Sequence, residues 1–279
     1  MKTDFRFTLD KDTRMCMSLA SRPGNFGTRL HNFLYARLGL NFFYKSFTTK
    51  DLAAAISGIR ALNIRGCAIS MPFKEDVMAL LDHIEPSAAR IDAVNTIVND
   101  DGVLTGSNTD YIAIQQGVAE RNIQKEARIC VAGSGGMAKA IVSALDDSGY
   151  RHVTIVARNE KTGPALAEKY DFTWIKEVSA KNSFEVLINA SPIGMAPATE
   201  DTPFSQDQVR AATYIIDSVA NPVKTKLLSL AERAGKITMS GFDITIIQSV
   251  EQFTRYTGVR PDHDSLQAAI AHVQSFESA

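Results

Sequence analysis

Lys74 stands in "SMPFKED", directly after Pro-Phe, where the apolar run "IRGCAIS" hands over to a loop. A lysine held there could move a proton, because an alcohol that loses a hydride must also give up its hydroxyl proton to a base. Lysine can serve if desolvation lowers its pKa from about 10.4, whereas a neighbouring carboxylate pushes the pKa back up and fixes the ammonium in place. "GSNTDY" offers that carboxylate in Asp110, with Asn108 and Thr109 beside it, and "DAVNT" adds Asn95. Alone, Lys74 reads as a solvated loop charge and Asp110 as a cap for the helix that follows.

A hydride needs an acceptor, and "VAGSGGMAKA" is built for one. Gly133, Gly135 and Gly136 lie between an apolar strand and a helix, and Ala138 starts the helix face that must pack close to the sheet. This is a variant of the dinucleotide fingerprint, with Gly133, Ser134, Gly135, Gly136, Met137 and Ala138 as the turn that meets the pyrophosphate. Small residues let the backbone approach, and the helix N-terminus supplies amides and a favourable dipole. The next strand ends in "ARNEKT". No acid occupies the strand end itself, and Ala157, Arg158, Asn159 and Lys161 form a turn whose two cations suit the 2′-phosphate of NADP. Asn159 and Glu160 suit a free ribose, which keeps NAD open.

Strands are expected at "RMCMSLA", "FFYKSF" and "RGCAISM", and helices at "GTRLHNFLYARLGL", "TTKDLAAAISGIRAL" and "KEDVMALLDHI". "NDDGVLTGSNTD" predicts a hairpin and a loop. Beyond it, "YIAIQQGVAERN" is helical, and strands follow at "RICVAG", "HVTIVARN", "EVLINAS" and "TYIIDSV". The helix "KTKLLSLAERAG" ends at Gly235, and the last two segments are helical, with Asp262 to Asp264 as a cap. Alternating strands and helices indicate an α/β fold with right-handed crossovers. The expected organisation is two domains: a mixed or parallel α/β substrate domain over 1–110, joined by C-terminal helices over about 243–279, and a Rossmann-like dinucleotide-binding domain over 111–242.

In this order and at these intervals, "PFKE", "DAVNT", "GSNTD", "GSGGMAKA", "NASPIGM" and "QSVEQF" resemble the shikimate dehydrogenase family, over almost the whole chain. The resemblance implies an NADP- or NAD-dependent oxidoreductase that reversibly oxidises one ring hydroxyl of a shikimate-like carboxylate to a ketone. It implies Lys74 and Asp110 as the catalytic pair, Asn95 and Gln248 on the ring hydroxyls, and Ser70 and Thr109 on further substrate-lining positions. It also places Ala190, Met195, Val219 and Gly241 on the cofactor. The chain departs from the family pattern in two places. Where family members hold the substrate carboxylate with a Ser-x-Ser pair, this chain has Asn25 and Gly27, and where they have a tyrosine it has Ala220. Losing two such donors without replacement costs on the order of 3 kcal/mol. Either another residue, such as Arg22 or Arg29, has taken over, or the substrate differs from shikimate at that end.

The 30 Lys and Arg nearly balance the 31 Asp and Glu. That leaves no global field for nucleic acid or an anionic membrane, so the expected partner is a small molecule, with a monomer or homodimer equally compatible. Cys67 and Cys130 lie in apolar runs and read as reduced core residues, and no metal site is expected. His31 reads as structural. The opening "MKTDFRFTLDKDTR" contains no apolar stretch of signal-peptide length, which makes a cytoplasmic location the expectation. A dinucleotide-binding sensor or partner module with little turnover is the alternative function.

Overall fold

A computed structural model of the chain describes residues 9–179 and 182–276. The order is β1 (Arg14–Leu19), α1 (Phe26–Arg37), β2 (Phe42–Phe47), α2 (Leu52–Ala61), β3 (Gly66–Ile69), β4 (His83–Ile84), α3 (Pro86–Ala89), β5 (Thr96–Asp100) and β6 (Val103–Ser107). Then come α4 (Thr109–Glu120), β7 (Ile129–Ala132), α5 (Gly136–Asp147), β8 (Val153–Val156), α6 (Thr162–Lys169), β9 (Thr173–Ile175) and β10 (Val186–Asn189). α7 (Gln206–Ala211), β11 (Tyr214–Asp217), α8 (Lys226–Arg233), β12 (Ile237–Met239), α9 (Gly241–Thr257) and α10 (His263–Gln274) complete it. Two compact units result: residues through Thr109 together with those from Ser249 onward, and Asp110–Gln248.

The first unit is built on a six-stranded mixed sheet in the order β2-β1-β3-β5-β6-β4. β1 pairs in parallel with β2 and β3, and β5 and β6 form an antiparallel hairpin. Its turn is the Asp101-Gly102 pair, both at positive φ, as a two-residue hairpin requires. α2 starts at Asp51, whose side chain accepts from the Ala54 amide. The helix expected over "KEDVMALLDHI" is instead a short 3-10 helix, Asp76–Leu80, followed by β4. The reason is tertiary: Asp82 accepts from the Leu104 amide and from Arg60, and its own amide donates to Leu104, which draws the chain onto β6. Arg65 fastens α9 by donating to the Tyr256 carbonyl (2.9 Å) and the Arg255 carbonyl (3.3 Å), satisfying acceptors near the end of that helix. Gly66 completes the joint, since a Cβ there would lie 2.2 Å from the Tyr256 ring.

The second unit is a parallel six-stranded sheet, ordered β12-β11-β10-β7-β8-β9. Its central strands "ICVA" and "VLIN" are buried throughout, as strands covered on both faces must be. Ile129 and Val131 face one core, and Cys130 and Ala132 the other. The strand order reverses between β7 and β10, which is where an open α/β sheet forms its ligand crevice. All three cysteines are buried and unbridged. No helix of the described residues is long and apolar enough to cross a membrane.

His31 lies on α1 with no exposed surface, and neither ring nitrogen has a hydrogen-bond partner among the described residues. Its ring stacks on Tyr44 at 4.5 Å with a 6° tilt. Burial holds its pKa down at about 3. The unfolded chain, with an ordinary histidine pKa, therefore binds a proton that the folded state refuses. Stability is fully present above about pH 6.5 and falls toward pH 3, by up to ~1.4 kcal/mol per pH unit from this residue. Replacing His31 by Phe keeps an aromatic ring and removes the titration. Urea unfolding between about pH 7 and 5 should then show a flatter loss of stability in the variant, and equal slopes would discount His31.

Candidate functional site

In the first unit a set of backbone bonds gathers four of the expected site residues. The Ser70 amide donates to Leu19 at 2.9 Å, and Phe73 closes a turn onto Ser70 at 3.0 Å. The Lys74 carbonyl accepts from Val94 at 2.8 Å, which fastens half-buried Lys74 beside Asn95. Ile69 donates to the Asn95 carbonyl at 2.8 Å. The Asn95 side chain is almost wholly buried, and its Oδ1 accepts from the Thr109 amide (2.8 Å), the Thr109 hydroxyl (3.1 Å) and the Thr96 hydroxyl (2.8 Å). An amide N–H can only donate, so the atom facing it must be the carbonyl oxygen, and the side-chain orientation is fixed. Nδ2 has no protein acceptor among the described residues, so Asn95 can meet a ligand only as a donor. Asp110 follows Thr109 in the first turn of α4, where the helix dipole favours a carboxylate, and is 5% exposed.

Gln248, the glutamine singled out in the sequence, is half-buried on α9. One turn later on the same helix face, buried Gln252 donates to the Thr96 hydroxyl at 3.0 Å and so joins the Asn95 cluster. Gln252 was missed; its four-residue offset from Gln248 is the signal that could have found it.

The β1–α1 loop holds the departures. Asn25 is exposed at the N-cap of α1, and its side chain makes no capping bond. A Cβ at Gly27 would lie 3.3 Å from the Tyr44 hydroxyl, and Tyr44 is held by both backbone bonds to the Asn32 side chain (2.8 Å each). Glycine therefore suits a rigid neighbour. Arg29 is turned to the C-terminal helices, its guanidinium 4.2 Å from the Phe276 ring centre, while Arg22 and Ala220 are exposed. Arg29 thus has another occupation and is a poor replacement for the missing hydroxyls.

In the second unit the glycine turn separates into two kinds of position. Gly133 has φ +127°, and a Cβ there would meet the Ala190 carbonyl at 2.8 Å. At Gly135 and Gly136 an added Cβ would meet nothing within 4 Å. α5 carries no side-chain cap, so its first amides stay available to an anion. The residues thus fit a dinucleotide pyrophosphate. Ala138 is buried in the core, Met137 packs partly against it, and the Ser134 hydroxyl lies 2.7 Å from that of Thr162. A cleft of about 460 Å³ opens here, lined by Gly133, Ser134, Ala157, Arg158, Asn159 and Lys176 among others.

Asn159 Oδ1 accepts from the Lys161 and Thr162 amides, at 2.9 and 3.1 Å, which starts α6. Lys161 is exposed and is not among the cleft-lining residues. Lys176, which the sequence reading passed over, is among them; a basic residue directly after the apolar "FTWI" was its only signal. Trp174, also passed over, donates from Nε1 to the Ala157 carbonyl at 3.1 Å and pins the end of β8.

Opposite them run the loops after β10 and β11. Asp217 is fully buried, and its carboxylate accepts from Thr225 (2.5 Å), Asn189 (3.0 Å) and the Val219 amide (3.1 Å). Burial pushes its pKa up, and these hydrogen bonds oppose the rise. Asn189 also donates to the Ile193 carbonyl, so the two loops are tied together. Ala190 and Val219 are buried, Met195 is 45% exposed, and a Cβ at Gly241 would strike the Val219 carbonyl at 2.4 Å.

Residues 26–97 match the shikimate dehydrogenase substrate binding domain, and residues 117–230 match shikimate / quinate 5-dehydrogenase. A shikimate dehydrogenase-like protein of Haemophilus influenzae is 47% identical over 96% of this chain and 99% of its own length. The shikimate dehydrogenase (NADP(+)) of Moorella thermoacetica is 35% identical, over 82% of each chain. Shikimate 5-dehydrogenase of Thermus thermophilus, solved with NADP(H) and shikimate, superposes with a TM-score of 0.83 at 26% identity, covering 93% of this chain and 99% of that one.

Replacing Asn95 by Ala strands the Thr109 amide and unsettles two buried hydroxyls. Urea unfolding should register a loss of about 2–4 kcal/mol, against about 0.5 kcal/mol or less for Asn25→Ala at an exposed position. Comparable losses for the two variants would mean that the Asn95 cluster does not hold the site.

Proposed function

The chain belongs to the shikimate dehydrogenase family, and on that premise we propose that it is an NAD(P)-dependent oxidoreductase acting on a ring hydroxyl of a shikimate- or quinate-like substrate. The observation that carries this reading is Asn95: a buried amide whose oxygen is fully engaged and whose Nδ2 is left to donate, on a segment bonded to the backbone of Lys74. Such a donor suits an oxygen that changes between hydroxyl and ketone, since both forms accept a hydrogen bond.

In the proposed reaction Lys74 takes the hydroxyl proton during oxidation and returns it during reduction, with Asp110 as its carboxylate partner. Asn95 orients the substrate oxygens, while Ser70, Thr109 and Gln248 provide further contacts. The dinucleotide, when bound, supplies the hydride carrier. Gly133, Ser134, Gly135, Gly136, Met137 and Ala138 form the turn for its pyrophosphate, Ala157, Arg158, Asn159 and Lys161 the turn for its adenosine end, and Ala190, Met195, Val219 and Gly241 the nicotinamide side. NADP is the favoured cofactor, because the strand end carries Arg158 and no acid. The β1–α1 loop departs from the family where a carboxylate would be held, and the exposure of Arg22 and the turn of Arg29 toward Phe276 supply no evident substitute. The physiological substrate therefore differs from shikimate at that end, or holds its carboxylate weakly.

The test is a scan of shikimate, quinate and their amino analogues with each cofactor, followed by the absorbance of the reduced nicotinamide. With the best pair, Lys74→Ala should lower the maximal rate by about 10²–10⁴-fold, the usual worth of a general acid–base, while substrate affinity stays within a few fold. A surviving rate would remove Lys74 from the mechanism, and no reduction with any pair would favour a binding module.

A further inference from the structure

The turn after β8 contains one carboxylate, Glu160, close to the strand end where an acid selects a free ribose and repels a 2′-phosphate. Glu160 does not stand by itself. Lys176, just beyond β9, places Nζ 2.6 Å from its Oε1, and both side chains are more than half exposed. Lys176 also lines the cleft with Arg158, Asn159 and Glu177, whereas Lys161 does not.

We propose that Lys176 is the specificity-determining residue that lets this cleft accept a phosphorylated adenosine ribose. The inference rests on the dinucleotide reading above and assigns its second cation to Lys176 in place of Lys161. Charge decides the matter. Arg158 and Lys176 outweigh Glu177 in the cleft lining; without Lys176 that lining is neutral and Glu160, in the adjoining turn, loses the cation that pairs with it. A 2′-phosphate, which is an anion, is then disfavoured, while a 2′-hydroxyl is nearly indifferent. Because the pair is exposed, salt screens the effect.

The full chain reports on this through Trp174, its one tryptophan, which is bonded to the same turn. Quenching of its fluorescence is titrated with NADP⁺ and with NAD⁺. Lys176→Ala should weaken NADP⁺ by about tenfold, the scale of one charge-assisted contact, and leave NAD⁺ within about twofold. The added change Glu160→Gln should recover most of the loss, and raising salt from about 0.05 to 0.5 M should shrink the difference between wild type and Lys176→Ala. The proposal is overturned if Lys176→Ala weakens both dinucleotides equally, or if Lys161→Ala and not Lys176→Ala carries the loss. Were the wild type to bind neither dinucleotide, the dinucleotide reading would fall and this proposal with it; binding of both with an unchanged ratio would sink this proposal alone.

Discussion

The side-chain oxygen of Asn95 is the point on which the candidate site of the first unit depends. Three donors converge on it, from the amide and hydroxyl of Thr109 and the hydroxyl of Thr96. In a buried, low-dielectric setting each of those donors would be expensive to leave without an acceptor. Within the first unit the base of the β5–β6 hairpin, Thr109 and, through Gln252, the part of α9 from Ser249 onward are thereby held to one another. Lys74 is tied to the same point by its backbone. The proton transfer proposed for Lys74 needs a fixed surround more than it needs many contacts, and a multiply engaged amide provides one.

In the second unit the organising constraint is close approach of backbone to backbone. Gly133 is a glycine because the Ala190 carbonyl leaves no room and because φ is positive, and Gly241 because Val219 leaves no room. Gly135 and Gly136 are free of such pressure from the protein. Their small size makes sense for something outside the chain that must reach the amides of α5. The same unit buries a carboxylate, Asp217, between two loops and satisfies it with three hydrogen bonds. That arrangement fixes the loop positions without adding charge to the cleft surface.

Much of this was legible in the chain because it is local. Burial on both faces wrote β7 and β10 as continuous apolar runs, the Asp101-Gly102 pair announced its hairpin, and Asp51 and Asp262 marked helix starts that their side chains do cap. The glycine turn, the α/β class and the family followed from short motifs in order. Of the Asn95 cluster, Asn95 and Thr109 were likewise named from the sequence, whereas Thr96 and Gln252 were not.

What the sequence alone could not decide depended on groups distant along the chain. The segment after Lys74 has a helical pattern, yet Asp82 and the hydrogen bonds of β6 turn its end into a strand. β9 has three residues, too few for periodicity, so Lys176 and Trp174 carried no visible role until parallel pairing set them beside the β8 turn. Arg29 reads as a possible anion ligand until Phe276 takes its guanidinium. By itself the sequence determined which backbone shapes and which chemistries were available, since those follow from neighbours a few residues away. Tertiary structure decided which charge meets which, because Coulomb forces and hydrogen bonds act over a few ångströms of space regardless of separation along the chain.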